Sequence, residues 1–152
     1  HTSDYRFFYF QLSFLHGLVE FDMETETITR LAELPNMVPY LPKVYYVNDS
    51  AHHGLAMSAD DSALCVAGTM DDYAAIVDRE TFEYTILEGL GKKAYWAVSD
   101  RSGENCLISW SETDQVSVIN YATREEIKRI DVGNHPQRIR EGMLKADWMS
   151  LY

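Results

Sequence analysis

The sequence lacks the features that would place it in a membrane or on a nucleic acid. No apolar run approaches the roughly 18 residues that a membrane-spanning helix needs. Basic residues are scarce, since 13 Lys and Arg face 24 Asp and Glu and give a formal net charge of −11. Phosphate backbones and anionic lipid surfaces repel so acidic a chain. We therefore expect no nucleic-acid partner and no membrane span.

Motifs of catalysis and targeting are also missing. The chain has no Gly-rich phosphate loop, no Gly-x-Ser-x-Gly elbow and no Cys-x-x-Cys pair. It starts with His1 and enters a strand-like aromatic run at Tyr5, with no charged segment followed by an apolar one. We expect a piece of a longer or processed chain, so the missing leader says nothing about the compartment.

Short strands are what the sequence does contain. Eight segments are apolar or alternating and rich in β-branched or aromatic residues, and turn-forming Asp, Ser and Gly clusters separate them. No segment before residue 137 shows a helical period, so the prediction is an all-β chain. The predicted strands are Tyr5–Phe14, Leu18–Phe21, Ala63–Ala67, Ala74–Val77, Tyr84–Leu87, Cys106–Ile108, Val116–Ile119 and Ile127–Val132.

The strands recur with a period of 41 to 42 residues. Ser58 and Ser99 are 41 residues apart, and so are Cys65 and Cys106. The segments Ile76–Thr81 and Val118–Thr123 also match each other, and the threonines that end them are 42 residues apart. A unit of this length with four short strands has the size of a β-propeller blade, whose two faces must both be covered by neighbours.

Three segments carry a resemblance to a known family. Ala97–Ile108, Asp114–Thr123 and Ile130–Pro136 together resemble the YVTN-type β-propeller repeat, which is WD-like in size. The chain departs from that pattern at Ala59 and Asp100, where the turn usually carries proline. The resemblance implies a fold of four-stranded antiparallel blades. Because similar repeats are frequent in exported bacterial proteins, it also implies an extracytoplasmic location, periplasmic or secreted.

The repeats divide one partial propeller domain, 1–152, into two full blades with flanking pieces. A closed ring takes at least about four blades, so the rest comes from the same longer chain, which we favour, or from oligomerisation. The predicted parts are 1–33, the last strands of one blade; 34–51, an insertion loop; 52–93 and 94–136, the two blades; and 137–152, the start of a next blade or a tail.

The insertion and the cysteines each give an expectation. Three prolines in the insertion rule out a central strand for most of it, and Val44–Val47 has the composition of a short added strand. The insertion is either a functional loop at the channel mouth or a cover for a sheet edge.

The two cysteines occupy equivalent positions in neighbouring blades. Equivalent positions in packed sheets lie on the order of 10 Å apart, beyond the ~7 Å Cα limit of a disulfide. Cys65 and Cys106 are therefore predicted as two free, buried thiols, which argues mildly against export.

Ligand contacts are expected where the chain enters the innermost strand of each blade, at one mouth of the axial channel. Histidines there could hold a metal, but His52 and His53 are neighbours in a strand and point to opposite faces. His135 lies in a Gly-Asn-His-Pro turn that belongs to the repeat pattern, so its position needs no metal to account for it. We predict no cofactor, and a transition metal on these three histidines is the alternative. The candidate ligand-binding residues are His52, His53, Tyr95, Trp96, His135, Arg138 and Arg140.

Three functions fit this pattern. The first is a non-catalytic binding or interaction scaffold, with a protein or small-molecule partner at the channel mouth. The second is a propeller enzyme, either a lactonase-like hydrolase or a metal- or cofactor-dependent oxidoreductase, which requires three or more convergent His, Asp or Glu ligands. The third is a structural assembly module without convergent polar groups. Because fold does not give function, we place the scaffold first.

Overall fold

A computed structural model describes residues 1–46 and 49–142 as three antiparallel sheets. Within each sheet, every strand pairs with the next one along the chain. One 3-10 helix, Lys43–Tyr46, lies between the first two sheets in sequence. The first sheet contains β1 Phe7–Phe10, β2 Gly17–Asp22 and β3 Thr27–Glu33. The second contains β4 Gly54–Met57, β5 Ala63–Gly68, β6 Tyr73–Asp78 and β7 Tyr84–Glu88. The third contains β8 Ala94–Ser99, β9 Asn105–Trp110, β10 Gln115–Asn120 and β11 Glu125–Asp131.

The all-β prediction is confirmed, and each of the eight predicted segments overlaps a strand. The aromatic run is shorter than predicted because Tyr5 adopts a positive φ of 62° in a turn that joins Thr2 to Phe7. No helix among the described residues is long and apolar enough to cross a membrane.

Two local predictions were wrong. Val44 and Tyr45 lie in the 3-10 helix instead of a strand, because the Tyr45 N–H donates to the Pro42 carbonyl and closes a single turn. The predicted start of a next blade after Pro136 does not form a strand over residues 137–142, which are irregular. The rest of the predicted tail, 143–152, lies outside the described residues.

Burial follows the order of strands within a sheet. In the second sheet every residue of β5 is buried, whereas β7 is exposed or half-buried. A run buried on both faces is expected for a middle strand covered by sheets on either side. The alanines of β5 and β6 leave little side-chain bulk between the sheets, so neighbouring sheets pack closely.

The second and third sheets come closest at their first strands. A Cβ added to Gly54 would lie 2.3 Å from the Ala97 nitrogen, so only glycine permits this approach of β4 to β8. Behind these strands Cys65 and Cys106 form a disulfide with a Cα separation of 6.4 Å. The prediction of two free thiols was therefore wrong. It used the ~10 Å spacing of evenly packed sheets, but these two sheets converge toward their first strands.

Side-chain oxygens cap the turns at the lower ends of the sheets, opposite the ends where β4 and β8 begin. Asp22, Asp78 and Asn120, each at the end of its strand, accept local backbone N–H bonds. Asp78 accepts from Glu80 and Thr81 at 3.0 and 2.9 Å, and the other two make the same type of contact. These local hydrogen bonds fix the hairpins independently of distant residues.

Asp60 plays the same part in the turn between β4 and β5, and it gives an acid-pH prediction. Hydrogen bonds from Ser58 and Ser62 lower the pKa of Asp60 to about 2. Because that pKa lies below the ordinary 3.8, the turn stabilises the fold above about pH 4 and loses this contribution as the pH falls toward 2. Asp60→Asn should cost about 1 kcal/mol or less at neutral pH, since water screens this exposed carboxylate.

Unfolding in urea from pH 2 to 6 checks this expectation. The difference in unfolding free energy between wild type and Asp60→Asn should shrink toward zero at the acid end. A difference that stays constant across this range would show that the carboxylate charge does not matter to the turn.

Candidate functional site

Two groups of side chains meet at the upper ends of the sheets, where β4 and β8 begin. The segment before β4 lies beside the loop after β5, since His53 N–H donates to Ala67 O at 3.2 Å and Met70 N–H to Ala51 O at 3.0 Å. We call the first group the axial cluster: His53, Tyr95, Trp96 and Arg138. We call the second the polar cluster: His16, Tyr46, His52, Asp71 and Tyr73.

A β-bulge in β8 creates the aromatic part of the axial cluster. Ala94 pairs with Trp110 and Trp96 pairs with Ser109, so Tyr95 is an extra residue in its strand. Bulges redirect side chains and are frequent beside functional sites. The His53 ring stacks on Tyr95 with ring centroids 4.5 Å apart and also approaches Trp96 at 5.5 Å.

Arg138 completes the axial cluster from the segment that follows β11. Its guanidinium carbon lies 4.5 Å from the centre of the Trp96 ring. Ser109 holds this segment in place, because its hydroxyl donates to Gln137 O at 2.6 Å and accepts from Trp96 N–H at 3.1 Å. Within the described residues no carboxylate forms an ion pair with Arg138, which is exposed. A guanidinium carries several N–H donors in a planar fork that matches a carboxylate or phosphate.

The other predicted site residues lie apart from this cluster. His135 is exposed in a turn with φ 55°, where its N–H donates to Asp114 at 2.8 Å. Arg140 is exposed, and no hydrogen bond or ion pair joins it to the cluster within the described residues. His52 is fully buried and belongs to the polar cluster. Four of the seven predicted residues thus lie together.

Asp71 is the centre of the polar cluster. Its Oδ2 accepts from His16 Nδ1 at 2.6 Å and from His52 Nε2 at 3.1 Å. Its Oδ1 accepts from the Met37 N–H at 2.8 Å. The side chains of His16, His52 and Asp71 are all buried. One carboxylate therefore joins the first sheet, the insertion and the second sheet.

Two tyrosines surround the histidines of this cluster. The Tyr46 hydroxyl lies 3.0 Å from His16 Nε2, on the side of the ring away from Asp71. The Tyr73 hydroxyl lies 2.9 Å from His52 Nε2 and donates to Pro35 O at 2.9 Å. The insertion contacts the upper loops through these groups.

The charges in the polar cluster follow from burial and hydrogen bonding. Burial lowers the pKa of His52 even though Asp71 opposes the change, so the His52 imidazole is neutral at pH 7. Burial alone would raise the pKa of Asp71, but hydrogen bonds from His52, His16 and Met37 together hold it below its ordinary value. The cluster therefore contains one buried carboxylate and a neutral imidazole at His52.

Sequence analysis missed His16, Tyr46, Asp71 and Tyr73. Asp71 lies in a cluster of turn-forming residues between two predicted strands, and 55 residues separate it from His16. The hairpin register contained a usable clue, because extending the pairing of Gly54 with Ala67 places His52 opposite Thr69, two residues from Asp71. No comparable local pattern points to His16 or Tyr46.

A separate groove of about 440 Å³ lies at the lower ends of the second and third sheets. Capped turn residues of both sheets line it, and none of the predicted site residues reaches it. Its lining residues are Ser58, Ala59, Asp60, Ser62, Ser102, Gly103, Glu104, Asn120, Tyr121 and Ala122.

No known family model and no curated protein matches the chain. Solved β-propeller structures do resemble it. The periplasmic gluconolactonase PpgL of Pseudomonas aeruginosa superposes with a TM-score of 0.67 at 18% identity, over 91% of this chain and 40% of that one. The WD40 repeats of RRP9 superpose with a TM-score of 0.67 at 13% identity, over 86% of this chain and 36% of that one. Hydrazine synthase of Kuenenia stuttgartiensis superposes with a TM-score of 0.64 at 15% identity, over 79% of this chain and 31% of that one.

These similarities confirm the β-propeller fold predicted from the repeats. At such low identities they show the fold alone, and the YVTN repeat family stays a resemblance. The chain spans about 30 to 40% of the length of these structures. They include an enzyme as well as WD40 repeat proteins, so the fold does not choose between catalysis and binding.

Proposed function

We propose that this chain forms part of a non-catalytic β-propeller scaffold that binds a ligand or a protein partner at the channel mouth through the axial cluster. The observation that carries this proposal is the guanidinium of Arg138 over the Trp96 ring, beside the stacked His53–Tyr95 pair. The N–H groups at the edge of a guanidinium match a carboxylate in geometry and charge.

The ligand group that fits is a carboxylate attached to a planar or apolar body. Tyr95, Trp96 and His53 are half-buried, so their rings offer apolar area next to the cation. The net charge of −11 would repel an anion over most of the surface. An exposed arginine without an ion pair among the described residues is therefore the feature that makes an anionic ligand reasonable here.

The disulfide supports an extracytoplasmic compartment for this scaffold. Structural disulfides persist in the periplasm and outside the cell, whereas cytosolic thiols stay reduced. Because Cys65 and Cys106 are paired, the argument against export that free thiols gave no longer applies. We further propose that the remaining blades belong to the same longer chain.

The alternative is a metal-dependent propeller enzyme, and the convergence of His16, His52 and Asp71 favours it. A catalytic metal keeps a coordination position open to substrate. This cluster is buried beneath the insertion, and its ring nitrogens and carboxylate oxygens are largely occupied by one another and by Tyr46, Tyr73 and Met37. That environment fits a structural group better than a reaction centre.

Calorimetric titration of the intact protein with benzoate tests the scaffold proposal. We expect binding that Arg138→Gln weakens about 10-fold or more, because a hydrogen bond to a charged group contributes ~1.5–3 kcal/mol. Arg140→Gln is the matched control and should leave the affinity unchanged. Failure of benzoate to bind, or equal binding of neutral benzamide, would contradict carboxylate recognition at this cluster.

A further inference from the structure

We infer that His16, His52 and Asp71 form a structural site for one divalent transition-metal ion of the zinc class. The donor atoms, two imidazole nitrogens and one carboxylate oxygen, all lie within 4.8 Å of one another. This site is separate from the axial cluster and does not depend on the function proposed for it.

The distances suit a metal ion in place of the two hydrogen bonds that Asp71 Oδ2 accepts, with each imidazole proton moving to the other nitrogen of its ring. At zinc–ligand distances of about 2.0–2.2 Å, ligands in a tetrahedral site lie roughly 3.4 Å apart. Asp71 Oδ2 is 2.6 Å from His16 Nδ1 and 3.1 Å from His52 Nε2. Shifts of several tenths of an ångström would admit the ion, and the Tyr73 hydroxyl lies 2.9 Å from His52 Nε2.

Supporting groups behind two of the three ligands are already in place. Metal-binding histidines usually bond their other ring nitrogen to a neighbour that fixes the ring, and His16 Nε2 does so with Tyr46. Asp71 accepts from the Met37 N–H through the oxygen that faces away from the histidines. Imidazole nitrogens favour zinc-class ions over Mg²⁺ or Ca²⁺, which prefer oxygen ligands.

The position of the site predicts what the ion would do. His16 lies between β1 and β2 of the first sheet, whereas His52 and Asp71 belong to the second sheet. The insertion is attached through Tyr46 and Met37. One ion would therefore cross-link two sheets and hold the insertion over the upper loops, and metal binding would be coupled to folding.

Titration of the metal-stripped intact protein with Co²⁺ tests this inference. We expect one equivalent to bind with the visible absorption of a tetrahedral nitrogen and oxygen site. Asp71→Asn should abolish that absorption, and Tyr46→Phe should weaken Co²⁺ affinity about 10- to 100-fold, because it removes only the group behind His16. His135→Gln, an exposed histidine outside both clusters, is the matched control and should bind as wild type does.

Three results would overturn the inference: no stoichiometric Co²⁺ binding, binding that survives both Asp71→Asn and Tyr46→Phe, or binding lost in His135→Gln. If Asp71→Asn fails to fold, X-ray absorption of the Zn²⁺-loaded wild-type protein decides. Scattering from two imidazole ligands supports the site. A sulfur ligand or a single imidazole assigns the ion elsewhere, and the His–Asp contacts are then hydrogen bonds only.

Discussion

Replacing Arg30 with alanine should lower the free energy of unfolding by about 3–5 kcal/mol, the usual loss when one partner of a buried ion pair is removed. Arg30 lies on β3 of the first sheet and forms a two-point ion pair with Glu20, with Nε donating to Oε1 at 2.8 Å and Nη2 to Oε2. Only 3% of the Glu20 side chain is exposed. Without Arg30, a nearly dry carboxylate would lose its cation.

The same guanidinium also joins two sheets. It donates to the backbone carbonyls of Glu80 at 2.7 Å and Arg79 at 2.8 Å, both in the second sheet's last turn. It also lies 3.9 Å from the centre of the Phe82 ring. Alanine would remove these contacts together with the ion pair, so the loss should fall on the packing between the first two sheets.

Arg129 provides a matched control. It pairs with Glu126 through two hydrogen bonds of 2.9 and 2.8 Å, and its side chain is 35% exposed, against 34% for Arg30. Its carboxylate partner is 19% exposed, and within residues 1–46 and 49–142 the Arg129 side chain donates hydrogen bonds to Glu126 alone. Arg129→Ala should therefore cost under about 1 kcal/mol. Urea unfolding of both variants gives the comparison.

Acid pH and a second substitution separate the charge from the packing. Burial acts to raise the pKa of Glu20, but hydrogen bonds from Arg30, Tyr9 and Thr29 hold it below the ordinary 4.5. The wild-type advantage over Arg30→Ala should therefore diminish as the pH falls below 4.5. Adding Glu20→Gln should restore part of the loss. Equal effects of Arg30→Ala and Arg129→Ala would mean that Glu20 is well solvated.

The 42-residue period of the sequence predicted the parts of the fold that depend on local contacts. Asp78 and Asn120 cap their own hairpins within three residues, so a 42-residue period in the sequence became a period in the sheets. The same register placed His53 near Tyr95 and Trp96, because all three lie at the start of a blade's first strand. The bulge at Tyr95, which lets His53 contact both rings, has no clear marker in the sequence.

What depends on the packing of separate segments could not be predicted in the same way. The polar cluster joins residues 16, 46, 52, 71 and 73 from four separate segments, and each has an ordinary local explanation as a turn or core residue. The cysteine prediction failed for a related reason. It applied a general sheet spacing, whereas Gly54 lets these two sheets approach more closely than that spacing allows.

The Cys65–Cys106 bond should contribute about 4 kcal/mol to the free energy of unfolding. The two residues are 41 positions apart, and closing a loop of that size in the unfolded chain costs about this much conformational entropy. The double variant Cys65→Ala/Cys106→Ala should therefore unfold at clearly lower urea than wild type. Reduction provides the matched control: a thiol reductant should lower wild-type stability to the level of the variant and leave the variant unchanged.

The same bond should matter to the axial cluster, because it lies one strand behind β4 and β8. It holds β5 to β9, and those strands carry His53 on one side and Tyr95 with Trp96 on the other through their pairing with β4 and β8. We therefore expect benzoate affinity to fall in the double variant even under conditions where it remains folded. If both thiols of the wild-type protein alkylate after denaturation without a reductant, the disulfide is disproved. If benzoate affinity is unchanged in the folded double variant, the packing at Gly54 alone aligns the axial cluster.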